Sequence, residues 1–88
     1  MTWTPATIAW AERSAHDLAR VDRPLRERIV AGVERYAATG HGDVKRLQGP
    51  VEDFRLRVGD WRVRFSLDSS TRLLTVLRVL PRGSAYKR

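Results

Sequence analysis

Apolar and polar residues alternate along two neighbouring segments in the second half of the chain. From residue 54 to residue 58, and again from residue 61 to residue 67, every second residue is apolar and most of the others are arginines. A period of two is typical of half-buried β-strands. Gly59 and Asp60 lie between the segments, and a glycine there suits the first central position of a type II′ turn. We therefore predict a β-hairpin over residues 53–68.

The predicted turn also fixes which residues face each other across the hairpin. Arg57 is expected opposite Arg62, and Arg55 opposite Arg64, so that four guanidinium groups share one face of the sheet. Like charges directly opposite each other cost stability. We therefore interpret this face as an anion-binding site, and a merely solvated basic surface is the less favoured alternative.

The first forty residues have a helical pattern after a short apolar start. Residues 1–3 predict a brief strand, and apolar residues at spacings of three and four then predict a helix over residues 5–20 with Thr4 as N-cap. A second helix is predicted from Asp22 as N-cap to Gly40 as C-cap. The two helices would form an antiparallel pair. Their opposite charges balance, which predicts ordinary solvated outer surfaces.

Two further segments complete the predicted architecture. Residues 40–50 predict a loop in which Leu47 is a buried anchor. Residues 72–80 are nearly all apolar or β-branched, and they predict a strand that is buried on much of both faces and ends at Pro81. The expected fold is α+β, with two N-terminal antiparallel helices packed on a small, mainly antiparallel twisted sheet. All 88 residues are expected to form one domain.

Composition limits the possible chemistry. No apolar run approaches the ~20 residues of a membrane helix, and the first residues lack the features of a signal peptide, so we expect a cytoplasmic protein that does not contact membranes. The chain has no cysteine, and its two histidines are far apart. Disulfides, a thiol nucleophile and a cysteine-based zinc site are thus excluded, and no metal or cofactor is predicted.

The formal net charge of +7 is concentrated in the second half of the chain. Residues 43–88 contain eleven Lys and Arg against five Asp and Glu, whereas residues 1–42 contain six against five. This asymmetry predicts that the sheet contacts a polyanion, either nucleic acid or an acidic protein segment. Arginines can hold phosphates through bidentate hydrogen bonds. Arg82 and Tyr86 follow the last predicted strand, where a tyrosine could stack on a base or exchange a proton.

Three segments together resemble the RelE/ParE toxin superfamily. Residues 45–49 (KRLQG), 54–63 (FRLRVGDWRV) and 77–86 (LRVLPRGSAY) match its pattern of Leu-x-Gly, a basic strand, Gly-Asp-Tyr-Arg-hydrophobic, and a late arginine followed by a tyrosine. The resemblance covers essentially the whole chain. It implies the toxin of a bacterial type II toxin–antitoxin pair, with a small α+β fold like that of microbial ribonucleases.

The superfamily contains two activities. RelE-like members cut mRNA in the ribosomal A site without a metal, whereas ParE-like members inhibit DNA gyrase. RelE-like enzymes use five site residues, and all five matching positions are occupied here, by Arg55, Arg57, Arg62, Arg82 and Tyr86. This match favours a ribosome-dependent mRNA endonuclease. The alternatives are a ParE-like gyrase inhibitor without nuclease activity, and an idle member that binds only its antitoxin and operator DNA.

The resemblance also implies roles and partners. Three arginines, Arg55, Arg57 and Arg62, would stabilise the phosphate while the 2′-hydroxyl attacks it, and Arg82 would serve the leaving 5′-oxygen. Tyr86 would stack on the base or take the proton. The other expected RNA-binding residues are Lys45, Arg64 and Lys87. The implied partners are a RelB-like antitoxin, the ribosome and mRNA, with operator DNA contacted only through the antitoxin complex.

The general base stays unassigned. RelE has lysines at the positions of Arg55 and Arg57, and an arginine effectively cannot lose its proton. The candidates are Tyr86 and Lys45, with Glu52 and Asp53 as less favoured carboxylates.

Overall fold

The computed structural model describes residues 2–49 and 53–82. Its elements, in chain order, are β1 (Thr7–Trp10), α1 (Glu12–Ala19), α2 (Arg23–Thr39), β2 (Asp43–Arg46), β3 (Asp53–Val58), β4 (Trp61–Asp68) and β5 (Leu73–Pro81). The strands form one sheet in the order β1-β5-β4-β3-β2. β1 runs parallel to β5, and the other pairs are antiparallel. The predicted α+β class with two helices is confirmed, and the sheet is mixed.

The predicted hairpin is present in the predicted register. Val58 pairs with Trp61, and Arg57 with Arg62. Gly59 has a φ of 59°, whereas the φ of Asp60 is negative, which is the pattern of a type II′ turn. The alternation of side chains along the two strands therefore places the arginines on one face and the apolar residues on the other, as expected.

The hydrophobic core lies between α2 and the apolar face of the hairpin. It includes Ile29 and Val33 of α2, together with Val63, Phe65 and Val76 of the sheet. α2 approaches β3 so closely that a Cβ added at Gly32 would lie 3.0 Å from a methyl group of Val58. This packing leaves the arginine face of the hairpin on the side of the sheet away from α2.

The prediction for the first twenty residues is wrong in two ways. Residues 7–10 form β1 instead of the start of a helix, and α1 is correspondingly short. The amide of Thr7 donates to the carbonyl of Arg72, and the amide of Ala11 donates to that of Val76, so pairing with β5 outweighs the local helical pattern. The predicted strand over residues 1–3 is also wrong, because Thr2 and Trp3 lie outside any strand; Met1 lies outside the described residues.

The second helix is confirmed at both ends. It begins after Asp22, has Pro24 in its first turn, and ends at Gly40 with a left-handed φ of 76°. Asp22 makes no side-chain capping hydrogen bond. In the part of the chain that is described, no helix is long and apolar enough to cross a membrane.

One boundary in the second half also differs from prediction. Residues 43–46 form β2 instead of a loop, and β2 pairs with β3. The last strand ends at Pro81 as predicted: Pro81 faces Trp61 as the last residue of β5, and the amide of Arg82 then donates to the carbonyl of Asp60 at 2.7 Å. Leu47, predicted as a buried anchor, is half-buried.

Candidate functional site

The arginine face of the hairpin carries the densest positive charge in the described part of the chain. Arg55 faces Arg64, and Arg57 faces Arg62, across the antiparallel β3–β4 pair. Directly opposed residues point to the same face of a sheet. All four arginines therefore lie on one face, as the sequence predicts.

Arg62 is at the centre of this group. Only 6% of its surface is exposed, and its Nη1 donates hydrogen bonds to the carbonyl oxygens of Gly59 and Trp61, each at 3.2 Å. Burial lowers the pKa of Arg62, and repulsion by Arg57, Arg55 and Arg82 lowers it further. The other three arginines are therefore close enough to disfavour the charge of Arg62.

Such a cluster is costly for a small domain. The Nε of Arg62 is buried and finds no hydrogen-bond partner within residues 2–49 and 53–82. A buried cation with an unmet donor and like-charged neighbours reduces stability. Titratable groups with a perturbed pKa concentrate at functional sites, and an approaching anion would relieve the repulsion around Arg62.

Arg82 joins the cluster from a different element. It directly follows β5, and its amide donates to the carbonyl of Asp60 in the hairpin turn, which holds the end of β5 against the turn. Of the five predicted catalytic residues, the four arginines are thus brought together at one end of the hairpin. Tyr86 lies outside the described residues, as does the predicted RNA-binding residue Lys87.

The other two predicted RNA-binding residues border the cluster in different ways. Arg64 forms an ion pair with Asp53 at 3.6 Å, so its charge is partly compensated. This contact also occupies Asp53, one of the less favoured candidates for the base. Lys45 lies in β2 directly opposite Arg55 and is exposed. It therefore shares the arginine face, although the sequence predicted a loop there.

Asp43 is a residue of this face that the sequence reading did not identify. It is the partner of Arg57 across the β2–β3 pair, and it is exposed. Asp43 makes no ion pair with any other described residue. An ionised carboxylate accepts protons and hydrogen bonds only. The sequence does not indicate that Asp43 lies in a strand, because β2 is only four residues long and Val44 is its one apolar residue.

Arg78, which the sequence could not place, lies opposite Arg64 across the β4–β5 pair, but its charge is compensated by an ion pair with Asp17. Its Nε and Nη2 donate to the carboxylate of Asp17 at 2.7 and 3.1 Å, and the amide of Val79 donates to the same carboxylate at 2.9 Å. Burial alone would raise the pKa of Asp17, but the hydrogen bonds from Arg78 and Val79 outweigh it, and the pKa is lowered. The pair fastens α1 to the edge of β5 beyond the end of β1.

A cavity of about 810 Å³ lies beside this ion pair, lined by residues of α1 and by Arg78. It contains none of the predicted site residues, and we do not associate it with them. Among residues 2–49 and 53–82, no three His, Cys, Asp or Glu side chains are grouped as a metal site would require.

Sequence comparisons give no relative. No protein-family model matches the chain, and no curated protein matches it.

Comparison of structures does find relatives. A RelE–RelB complex from Pyrococcus horikoshii OT3 matches with a TM-score of 0.78 and 20% identity, over 91% of this chain and 98% of that one. A RelB–RelE antitoxin–toxin complex from Methanococcus jannaschii matches with a TM-score of 0.70 and 27% identity, over 88% and 93%. A RelBE toxin–antitoxin complex from Mycobacterium tuberculosis matches with a TM-score of 0.63 and 25% identity, over 90% and 100%. The resemblance seen in the sequence is thereby confirmed, and the chain has the RelE-like fold of the RelE/ParE toxin superfamily.

Proposed function

We propose that this protein is the toxin of a type II toxin–antitoxin pair, and that it cleaves mRNA in the ribosomal A site. The observation that carries the proposal is the meeting of Arg55, Arg57, Arg62 and Arg82 at one end of the hairpin. The similar solved structures are toxins, several of them bound to antitoxins, which supports a RelB-like antitoxin as the resting partner. Action on ribosomes places the protein in the cytoplasm.

The arrangement suits attack of the RNA 2′-hydroxyl on the adjacent phosphorus. The new bond forms from the 2′-oxygen, the bond from phosphorus to the 5′-oxygen breaks, and the departing 5′-oxygen takes a proton from solvent water. The products are a 2′,3′-cyclic phosphate and a free 5′-hydroxyl. Negative charge builds on the phosphate oxygens during this step, and fixed guanidinium groups stabilise it without reorganising. We assign Arg55, Arg57 and Arg62 to these oxygens, and Arg82 to the departing 5′-oxygen.

The proton of the 2′-hydroxyl needs an acceptor. On the arginine face, two side chains of β2 can accept it: the carboxylate of Asp43, opposite Arg57, and the amine of Lys45 once deprotonated, opposite Arg55. A carboxylate is ready for this role at neutral pH, whereas a lysine must first lose a proton. We therefore propose Asp43 as the general base. Tyr86 remains the candidate for stacking on the base of the RNA.

The test is substitution of Arg82 by alanine. We expect growth arrest to be lost, and cleavage of translated mRNA, mapped by primer extension, to fall about 10²- to 10³-fold. Arg35→Ala is the matched control, because it removes an exposed arginine from α2. Full activity of Arg82→Ala, or equal losses in both variants, would contradict the proposal.

Assays of the same proteins distinguish the proposed ribonuclease from the two alternative functions. A ParE-like inhibitor would block supercoiling by DNA gyrase and leave no new mRNA ends, and an idle member would do neither. The proposed toxin is expected to produce new mRNA ends and to leave supercoiling unchanged.

A further inference from the structure

A small cavity of about 260 Å³ opens at the tip of the hairpin, where α2 passes the turn. Its apolar wall includes Leu25, Val58 and Trp61, and its charged lining consists of Arg28, Arg57 and the carboxylate of Asp60. We call it the hairpin-tip pocket. It combines an aromatic surface with two guanidinium groups, which are the two features that proteins use to hold single-stranded RNA.

The hairpin-tip pocket is continuous with the arginine face through Arg57. This residue faces Arg62 across the hairpin, and its Nε donates to the carbonyl oxygen of Gly59 at 3.4 Å. The same side chain lines the pocket. A ribose-phosphate chain held by Arg57 could therefore pass round the turn and enter the pocket while it stays in contact with this arginine.

Arg28 reaches the pocket from α2. Its Nη2 lies 3.9 Å from the position that a Cβ on Gly59 would take, and the residue is exposed. The sequence predicts an ordinary solvated arginine here, because nothing in the helical pattern shows that the hairpin turn packs beside it. The structure instead places a second cation, besides Arg57, in the lining of the pocket.

We propose that the hairpin-tip pocket binds the nucleotide next to the scissile phosphate, with its base against Trp61 and its phosphate between Arg28 and Arg57. This inference rests on the proposed ribonuclease function. An acidic peptide would be satisfied by cations alone, whereas an aromatic side chain in the same pocket as two arginines favours a base with a phosphate.

Binding can be measured without cleavage by using a 2′-O-methyl RNA trinucleotide, which lacks the attacking hydroxyl. We expect its addition to shift the indole N–H resonance of Trp61 in the NMR spectrum. Trp3 and Trp10 are internal references, because neither lines the hairpin-tip pocket.

Two arginine variants make the measurement specific. Arg28→Ala should weaken trinucleotide binding about tenfold, and Arg28→Lys should restore part of it. Arg35 lies two turns further along the same face of α2, so Arg35→Ala removes the same charge away from the pocket and should leave the dissociation constant unchanged.

The proposal is overturned if the Trp61 resonance does not move, or if Arg28→Ala and Arg35→Ala weaken binding equally. It is also overturned if a polyglutamate peptide shifts Trp61 and the trinucleotide does not, since the pocket would then be a protein-binding surface. A different result would contradict the ribonuclease function alone: the wild-type protein would produce no new mRNA ends, although the Trp61 resonance would still shift on addition of the trinucleotide.

Discussion

Arg57 and Arg62 donate hydrogen bonds to the same acceptor, the carbonyl oxygen of Gly59, at 3.4 and 3.2 Å. Two cations that face each other across a hairpin would normally separate. Here a single carbonyl at the turn holds both, so the turn orients the guanidinium groups as well as reversing the chain. A site that must receive a phosphate benefits from this order, because fixed dipoles and charges need no rearrangement during the reaction.

Arg62 is expected to contribute to activity at the expense of stability. Because it is buried among three other arginines, replacing it with methionine removes repulsion and an unmet donor while keeping apolar volume. We predict that Arg62→Met leaves the urea midpoint unchanged or raises it, and lowers mRNA cleavage at least 100-fold. A clear fall in the midpoint, measured with unchanged m-value, would show that Arg62 is instead a stabilising residue.

Asp43 should be identified by its effect on the rate of cleavage. If its carboxylate accepts the 2′-hydroxyl proton, Asp43→Asn removes the acceptor and leaves the arginines of the face in place. We expect Asp43→Asn to cut about 10²- to 10⁴-fold more slowly at neutral pH. Asp53→Asn is the control, since Asp53 pairs with Arg64. Equal cleavage rates in Asp43→Asn and the unchanged protein would contradict the assignment.

The Asp17–Arg78 pair should make stability depend on pH. The pKa of Asp17 is lowered in the folded protein, so its contribution is present above the unfolded value of about 3.9 and is lost as the pH falls through the folded pKa. We predict that Asp17→Asn costs about 1–3 kcal/mol at pH 7, and that the two proteins converge in stability in strong acid.

Urea denaturation at several pH values measures this effect. Asp22→Asn is a suitable control, because the side chain of Asp22 makes no capping hydrogen bond. A constant difference between Asp17→Asn and the unchanged protein from pH 7 down to pH 2 would show that the contribution of Asp17 does not come from its charge.

Two glycines with positive φ differ in their surroundings. A Cβ at Gly59 would meet only Arg28, at 3.9 Å, whereas a Cβ at Gly40 would lie 2.7 Å from the ring of Trp3. Gly59→Ala should therefore cost only the backbone penalty, about 1–2 kcal/mol. Gly40→Ala should reduce the free energy of unfolding by more than this. The urea midpoints of the two variants measure the difference. Equal losses would mean that Trp3 moves aside at little cost.

The sequence was sufficient for the hairpin because its information is local. The period of two and Gly59 specify strands, turn and register together, and the register then places Arg55, Arg57 and Arg62 on one face. The resemblance to the superfamily added the functional assignment, which neither the alternation nor the charge could supply.

The remaining differences arise from contacts between distant residues. Ile8 and Leu18 fit a helical spacing, and only pairing with β5, more than sixty residues later, makes residues 7–10 a strand. Asp43 and Arg28 were not identified for a similar reason. The position of Asp43 on the arginine face depends on a four-residue strand next to β3. The position of Arg28 depends on the packing of α2 beside the turn. Neither contact produces a periodic pattern in the sequence.

The parallel pairing of β1 with β5 has a consequence for the order of folding. Thr7 faces Leu73, so this pairing closes nearly the whole described chain and carries a large loop-closure cost, whereas the hairpin closes locally. Because β4 and β5 are also joined by a short turn, with Asp68 opposite Leu73, we expect β3, β4 and β5 to pair early and β1 to dock late. The four-arginine cluster, including Arg82, would then form before the last stage of folding. Pulsed hydrogen exchange, comparing the amides of Thr7 and Ala11 with those of the hairpin, would reveal this order.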